Sequence, residues 1–334
     1  MTMDKQNQAK PAGGRPTRSL VEGALLAALA SLFALLSLVP PLFFLDFAIP
    51  VPLAIVGYRY GMRRAALSAV VALLLTFLLS GSPFAVASVL SFGALGLAVA
   101  HGVRRGYPAI RTVLLGTAVA FLATVGQFLF SLWVMGVNLW AEQVRIYQLS
   151  LEKSLEWQKG FFPKLPGAPP PGQLQAAEEQ FRAISRQLPH LGPALFIAGS
   201  FLLGVMNYGI IRSSFRRLKL GEVPAFPPFR TWRLPEWVGW MGILAFAAGY
   251  ADAMWHLTGA KVLYDNLFYL CLYAFLIEGL AVSWYYFDRW GWDKTTRALL
   301  LIFGFLTGVG WVIILAVGFL DLFLDYRRPR EDEA

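Results

Sequence analysis

Read from residue 20 onward, the chain alternates between long apolar stretches and short polar breaks. Apolar runs of helix length cover 20–38, 65–80, 84–100, 112–137, 191–211, 237–257, 267–287 and 298–320, with a shorter piece at 42–58 interrupted by Pro50 and Pro52. The runs are rich in Leu and Ala and lack the alternation of strands facing two environments, so the pattern predicts helices. A chain of 334 residues could not bury all of these faces in one soluble core. In hydrocarbon, every backbone polar group must be satisfied within its own segment. The expected fold is therefore all-α, a polytopic transmembrane helical bundle.

Two stretches between 138 and 190 follow a different pattern. Trp140, Val144, Tyr147, Leu151 and Leu155 recur at helical spacing, as do Leu174, Ala177, Phe181, Ile184 and Leu188, each with polar residues between them. The Pro169-Pro170-Pro171 run separates them. These residues predict an amphipathic two-helix hairpin outside the membrane. It would lie on the headgroups, form a lid over an outward-opening pocket, or serve as a partner-binding arm.

Charge orients this pattern. The composition is 57% hydrophobic and 15% charged, and the net charge is +9. The mean hydropathy is +0.56. Basic residues gather at the ends of apolar runs, as in cytoplasmic loops. Examples are Arg59, Arg63 and Arg64, then Arg104, Arg105 and Arg111, then Arg212, Arg216, Arg217 and Lys219. This placement argues against nucleic acid as the partner and makes membrane lipid the expected surroundings. It also puts the 138–190 hairpin on the extracytoplasmic side of the membrane.

The expected organisation has five parts. Residues 1–18 form a disordered cytoplasmic tail, and 19–211 a six-helix membrane domain that includes the hairpin. Residues 212–236 form a basic cytoplasmic loop, 237–325 the C-terminal membrane helices, and 326–334 a charged tail. Six crossings account for the loop charges up to residue 236. Three further full crossings would put Arg327, Arg328 and Arg330 outside, against the positive-inside bias. Either one segment is broken or re-entrant, or the tail lies outside. The count stays at eight to nine segments.

Small residues mark the expected helix-packing or coupling surfaces. Gly23, Ala27 and Ser31 stand four apart on the first span, beside a second ridge of Ala24 and Ala28. Gly304 and Gly308 form another such ridge near the C-terminus. Ridges of this kind let helices approach closely. The partner helix lies either in this chain or in another subunit.

Polar groups at membrane depth are the candidate chemistry. Glu278 sits mid-span, where a carboxylate is costly and requires a cavity, a bundle interior or a basic partner. Asn207 and Asp252 are the other buried polar candidates, and Asp46, Gln127 and Asn138 are the candidate pocket-lining groups. Glu22 is placed to pair with Arg18. Asp252, His256, Lys261, Asp265 and Asn266 are expected to form a hydrated interfacial cluster rather than a metal site. Cys271 is the single cysteine and reads as an apolar filler. No phosphate-binding loop, HExxH or GxSxG motif occurs. No catalytic residue, metal or cofactor is therefore expected, nor is the chain expected to be an enzyme.

Several stretches carry a family resemblance. They are Glu22-Gly23-Ala24-Leu25-Leu26-Ala27-Ala28-Leu29, Pro50-Val51-Pro52-Leu53 and Gly57-Tyr58-Arg59-Tyr60-Gly61, then Pro227-Pro228-Phe229 with Trp232 and Leu234-Pro235. The last are Gly318-Phe319-Leu320-Asp321 and Asp325-Tyr326-Arg327. With these the chain resembles the YybS-like, or DUF2232, family of bacterial polytopic membrane proteins, which implies a multi-pass place in a bacterial inner (cytoplasmic) membrane. The first six spans also resemble the substrate-binding subunits of energy-coupling-factor vitamin transporters. That resemblance implies that Ala24 and Ala28 contact a transmembrane coupling subunit driven by paired ATPases. The 138–190 insertion and the C-terminal runs depart from that pattern. The resulting expectation is a transport-related component that binds a small-molecule ligand from the outer side. The alternative is a non-transporting scaffold for cell-envelope or division proteins, similar in plan to MreD-like proteins.

Overall fold

The computed structural model describes residues 16–161, 171–256, 258–306, 309–324 and 326–327. The 1–15 tail, the Pro169–Pro170 part of the hairpin turn, Gly308 and the 328–334 tail lie outside them. Among the described residues all regular structure is helical. Seven helices are long and apolar enough to cross a membrane, or eight if one bent pair counts as a span. The protein is a multi-pass membrane protein.

The chain divides into two compact units, Met1–Leu129 with Gly199–Ala225, and Phe130–Ala198 with Phe226–Ala334. The first holds α1 (Pro16–Ser37), a 3-10 turn (Leu42–Ala48), α2 (Pro50–Tyr60), α3 (Met62–Ser80) and α4 (Pro83–Arg104). It also holds most of α5 (Ala109–Val134) and, after α6 (Leu139–Phe161) and α7 (Pro171–Gln187) of the second unit, most of α8 (Gly192–Arg217). The boundaries follow local chemistry. Pro50 stands at the first turn of α2, where its missing N–H costs nothing. Gly81 closes α3 in the left-handed conformation, and Ser82 caps α4 by accepting from the Ala85 N–H. Leu42–Tyr60 together make a 19-residue span, so the prolines shift its first turns to 3-10 geometry without cutting it short.

The core of this unit is built from small side chains. Ala27, Ala30, Ala34, Ile49, Leu53, Ala72 and Val89 form one buried cluster. Apolar side chains gain nothing by leaving lipid for protein, so association relies on close packing, which small residues allow. A Cβ at Gly96 on α4 would strike the Pro50 backbone, so α2 and α4 touch main chain to main chain.

The second unit contains α6 and α7, then α9 (Trp237–Trp255), α10 (Thr258–Arg289), α11 (Lys294–Leu306) and α12 (Val309–Leu324). In the hairpin, Lys159 pairs with Glu178 at 2.6 Å, and the Gln148 amide donates to the Ser185 carbonyl at 3.1 Å. Val144 is buried and Leu151 and Leu155 half-buried, whereas Tyr147, expected on the same face, is exposed. Helix α10 crosses α12 through paired glycines: a Cβ at Gly279 would meet the Ile314 carbonyl, and one at Gly318 the Phe275 carbonyl.

Helix α9 has 19 residues but is not among the seven apolar spans, because three tryptophans, Tyr250 and Asp252 dilute it. The run expected at 298–320 is broken: α11 and α12 meet at 105°. Both open ends of this pair lie at one place. Arg297, at the start of α11, binds Asp288 at the end of α10, and Asp288 also accepts from Arg230 at 3.0 Å. Arg327, just past α12, donates to the Arg230 carbonyl at 3.2 Å. The chain therefore leaves the end of α10, turns at the α11–α12 bend and returns to the same end, as a re-entrant segment does. The last apolar run is thus broken at this bend, as one of the sequence alternatives has it.

Candidate functional site

The costly carboxylate of the second unit has a complete set of partners. Glu278 is 1% exposed and Asp321 is fully buried. The Arg327 guanidinium lies between them. It donates to Glu278 Oε1, to Asp321 Oδ2 at 2.7 and 3.2 Å, and to the Trp232 carbonyl at 2.5 Å. The Leu234 N–H donates to Glu278 Oε2 at 2.8 Å, and the Tyr326 N–H to Asp321 Oδ1 at 3.0 Å. A buried charge needs such pairing with its remaining lone pairs satisfied. Helix α10, helix α12, the chain end and the 229–234 segment are thereby tied at one point. Sequence reasoning found Glu278 but neither Asp321 nor Arg327. The signal was present as a lone mid-span acid and a basic residue just past the last apolar run.

In the same unit, an apolar cavity of 770 Å³ lies between α10 and the re-entrant pair, walled by Val282, Tyr286, Leu301, Gly304, Gly310 and Ile314 among others. Gly304 packs against Gly310 across the bend, and Gly308, its companion in the expected ridge, lies outside the described residues. Asn138 is exposed and caps α6, its Oδ1 accepting from the Ala141 N–H at 3.0 Å. Asp252 is half-buried near the end of α9, and its carbonyl accepts from the His256 N–H at 2.8 Å. Asn266 is buried, not hydrated as expected. It donates to the His190 carbonyl at 2.8 Å and accepts from the Ala194 N–H at 2.9 Å, fastening α10 to the chain entering α8. Asp265, 3% exposed, pairs with Lys261 at 3.2 Å.

In the first unit, the two ridges of α1 face opposite ways. Gly23, Ala27 and Ser31 are buried. A Cβ on Gly23 would sit 3.0 Å from Ser68 Oγ of α3, and Ser31 Oγ lies 2.8 Å from Thr76 Oγ1. Ala24 and Ala28 are exposed, beside Leu25 and Leu32. Near the start of α1, Glu22 accepts from Arg18 at 2.9 Å, from Arg59 at 3.2 Å and from the Tyr60 hydroxyl. The Arg18 pairing is as expected, and the two partners on α2 are additional.

Two pocket candidates meet on α4. Asp46 accepts from Ser88 at 3.4 Å, and its other oxygen is buried without a hydrogen-bond partner among the described residues. The Gln127 amide donates to the Ala87 carbonyl at 2.7 Å and to Ser91 Oγ. Asp46, Ser88, Ser91 and Gln127 are all half-buried, so they form a polar track along one side of α4. Asn207 is fully buried on α8. Its amide donates to the Leu203 carbonyl at 2.9 Å, and its Oδ1 has no partner among the described residues. No cluster of three or more His, Cys, Asp or Glu suited to a metal ion occurs among the described residues.

Comparison with known proteins agrees with this architecture. The chain is 24% identical over 318 residues to the Bacillus subtilis (strain 168) protein named "Uncharacterized protein YybS", a match covering 92% of this chain and 97% of that one. No solved structure matches the chain. Residues 27–322 match the family described as "Predicted membrane protein (DUF2232)". With nearly its whole length within that match, the protein belongs to the DUF2232 family of membrane proteins.

Proposed function

We propose that the chain is the membrane-embedded, solute-binding component of a transport assembly in a bacterial cytoplasmic membrane, similar in role to the substrate-binding subunits of energy-coupling-factor transporters. The observation that carries this reading is the division of labour on α1. The Gly23–Ala27–Ser31 ridge is used within the chain, so the exposed Ala24–Ala28 ridge is free for a helix of another subunit. The first unit also holds six membrane segments, α1 to α5 and α8, with the 138–190 insertion assigned to the other unit. The half-buried track of Asp46, Ser88, Ser91 and Gln127 offers a small polar solute both donors and acceptors, including one unused carboxylate oxygen.

The test is co-purification. Wild-type protein extracted gently from its own host is expected to bring down a transmembrane coupling subunit with ATPases. The Ala24→Leu/Ala28→Leu variant should fold, because both positions already face outward, yet lose that partner. Retention of the partner by the variant refutes the assignment of the ridge. Absence of any ATPase partner from the wild type, with normal solute uptake in a deletion strain, refutes the transport reading.

A second reading, a scaffold for envelope or division proteins, is favoured by the hairpin. Glu152, Glu156, Arg182 and Arg186 are exposed around a 650 Å³ groove between α6 and α7, a charged surface available to a partner. Crosslinking from these positions to envelope proteins, together with loss of cell shape but not of uptake on deletion, selects this reading.

A further inference from the structure

A cavity of 710 Å³ opens where α8 ends, lined by Arg212, Phe215, Arg216, Lys219, Glu222 and Val223 among others. We infer that it binds the phosphate group of an anionic ligand, with Arg212, Arg216 and Lys219 as the recognising cations.

The cavity is preformed. Its outer wall, the 218–225 segment, is fastened to the unit at three points. The Tyr208 hydroxyl donates to the Pro224 carbonyl at 2.7 Å, Arg212 Nε donates to the Val223 carbonyl at 3.3 Å, and Gly221 packs so tightly on Tyr58 that any side chain there would collide with the phenol. Phe215 at the floor is 1% exposed and meets Tyr58 edge to face at 5.2 Å. Recognition groups held on a rigid frame lose little freedom on binding.

The charge around the cavity is unbalanced. Three cations stand against the single carboxylate of Glu222. The side chains of Arg216, Lys219 and Glu222 make no ion pair or hydrogen bond among the described residues. The dipole at a helix C-terminus favours cations, which accounts for arginines near the end of α8. It does not account for Lys219. That residue occupies the left-handed position that closes the helix, with φ 51°, where glycine is the usual choice. The Lys219 N–H bonds the Arg216 carbonyl at 3.3 Å and the Leu220 N–H bonds the Phe215 carbonyl at 3.0 Å, so the closure itself needs no side chain. A lysine kept in strained backbone beside two arginines is explained by what its ammonium meets. Planar guanidinium groups and an ammonium point charge together suit a phosphate. At the end of a membrane span, that phosphate belongs either to an anionic phospholipid headgroup or to a free phosphate compound.

The full chain in phosphatidylcholine nanodiscs distinguishes the two sources. Inorganic phosphate is titrated in one arm, and phosphatidylglycerol is added to the bilayer in the other, with the thermal midpoint and affinity as readouts. Stabilisation by phosphate alone identifies a free phosphate compound. Stabilisation by phosphatidylglycerol only identifies a headgroup. Either effect should weaken at least tenfold in Arg216→Gln/Lys219→Gln and persist in Arg145→Gln/Arg186→Gln, which removes the same charge from the hairpin. Lys219→Gly relieves the backbone, so it is expected to fold at least as well as wild type while binding more weakly. No response to either probe overturns the assignment, and so does unchanged binding in Lys219→Gly.

Discussion

Arg327 donates to Glu278 across 49 positions of sequence, joining the end of the chain to the middle of α10. Because Asp321 shares the same guanidinium, one arginine serves two buried carboxylates. Removing the arginine leaves both acids without their counter-charge. Arg327→Met is expected to cost about 3–5 kcal/mol, the range for breaking a buried pair. The measurement is thermal or denaturant unfolding in detergent, compared with Glu278→Gln/Asp321→Asn/Arg327→Met, which removes all three charges and should recover part of the loss. A single variant as stable as wild type contradicts the role given to this cluster.

The re-entrant geometry predicts sidedness. The hairpin side meets α10 nearer its start, through His190 with Asn266 at 2.8 Å and Gln187 with Tyr269 at 2.9 Å, whereas Asp288 near its far end binds Arg297 and Arg230. From Asn266 to Asp288 the helix rises roughly 33 Å at 1.5 Å per residue, about the thickness of the hydrocarbon core, enough to separate these regions across a bilayer. In a Cys271→Ala background, cysteines at Lys294 and at an added C-terminal position should react from one face of the membrane. A cysteine at Lys153 should react from the other. Labelling of positions 294 and the C-terminus from opposite faces would mean that α11 and α12 cross outright.

Ser31 and Thr76 share a buried hydrogen bond between α1 and α3 at 2.8 Å. Hydrogen bonds of this kind inside membrane proteins contribute about 0.6 kcal/mol on average and up to about 1.7. Thr76→Val keeps the shape and removes the hydroxyl, so it should lower stability by about 1 kcal/mol. Ala27→Leu on the same buried ridge should cost more, because it drives α1 off its neighbours. Ala24→Leu should be close to neutral in unfolding experiments on the isolated chain, which tests the outward assignment without any partner.

The hairpin is expected to respond to acid. The Lys159 ammonium bonded to Glu178, with Arg182 beside it, holds that carboxyl below the usual glutamate range. Arg145 does the same for Glu142. A depressed folded value means that these contacts contribute fully above the ordinary glutamate pKa and are lost as pH falls through the lowered one. Because the groups are exposed, the effect should also fade at high salt. Spin labels on α6 and α7 should report a closed pair at neutral pH and an opening one below about pH 4, the ordinary glutamate value. A distance unchanged down to strongly acidic pH would mean that apolar contacts alone close the hairpin.

Much of this architecture is readable in one dimension. Helical spans follow from apolar runs of sufficient length, because hydrocarbon tolerates no unsatisfied backbone. The amphipathic pair between 138 and 190 follows from spacing, and the Gly81-Ser82-Pro83 turn from the backbone preferences of its residues. The small ridges on α1 were equally visible. These features depend on neighbours a few positions away, so a linear pattern contains them.

What the tertiary structure decided depends on residues far apart in sequence. Spacing could not say that Gly23 and Ala27 face α3 while Ala24 and Ala28 face outward, since both ridges obey the same rule. Nor could it pair Glu278 with Arg327, join Asp46 and Gln127 through α4, or pack α12 on α10 beyond the α11–α12 bend. A buried charge announces from sequence alone that it requires a partner. Which group answers is settled only when the helices pack, because the cost of an unpaired charge is met by whichever distant residue the packing brings within reach.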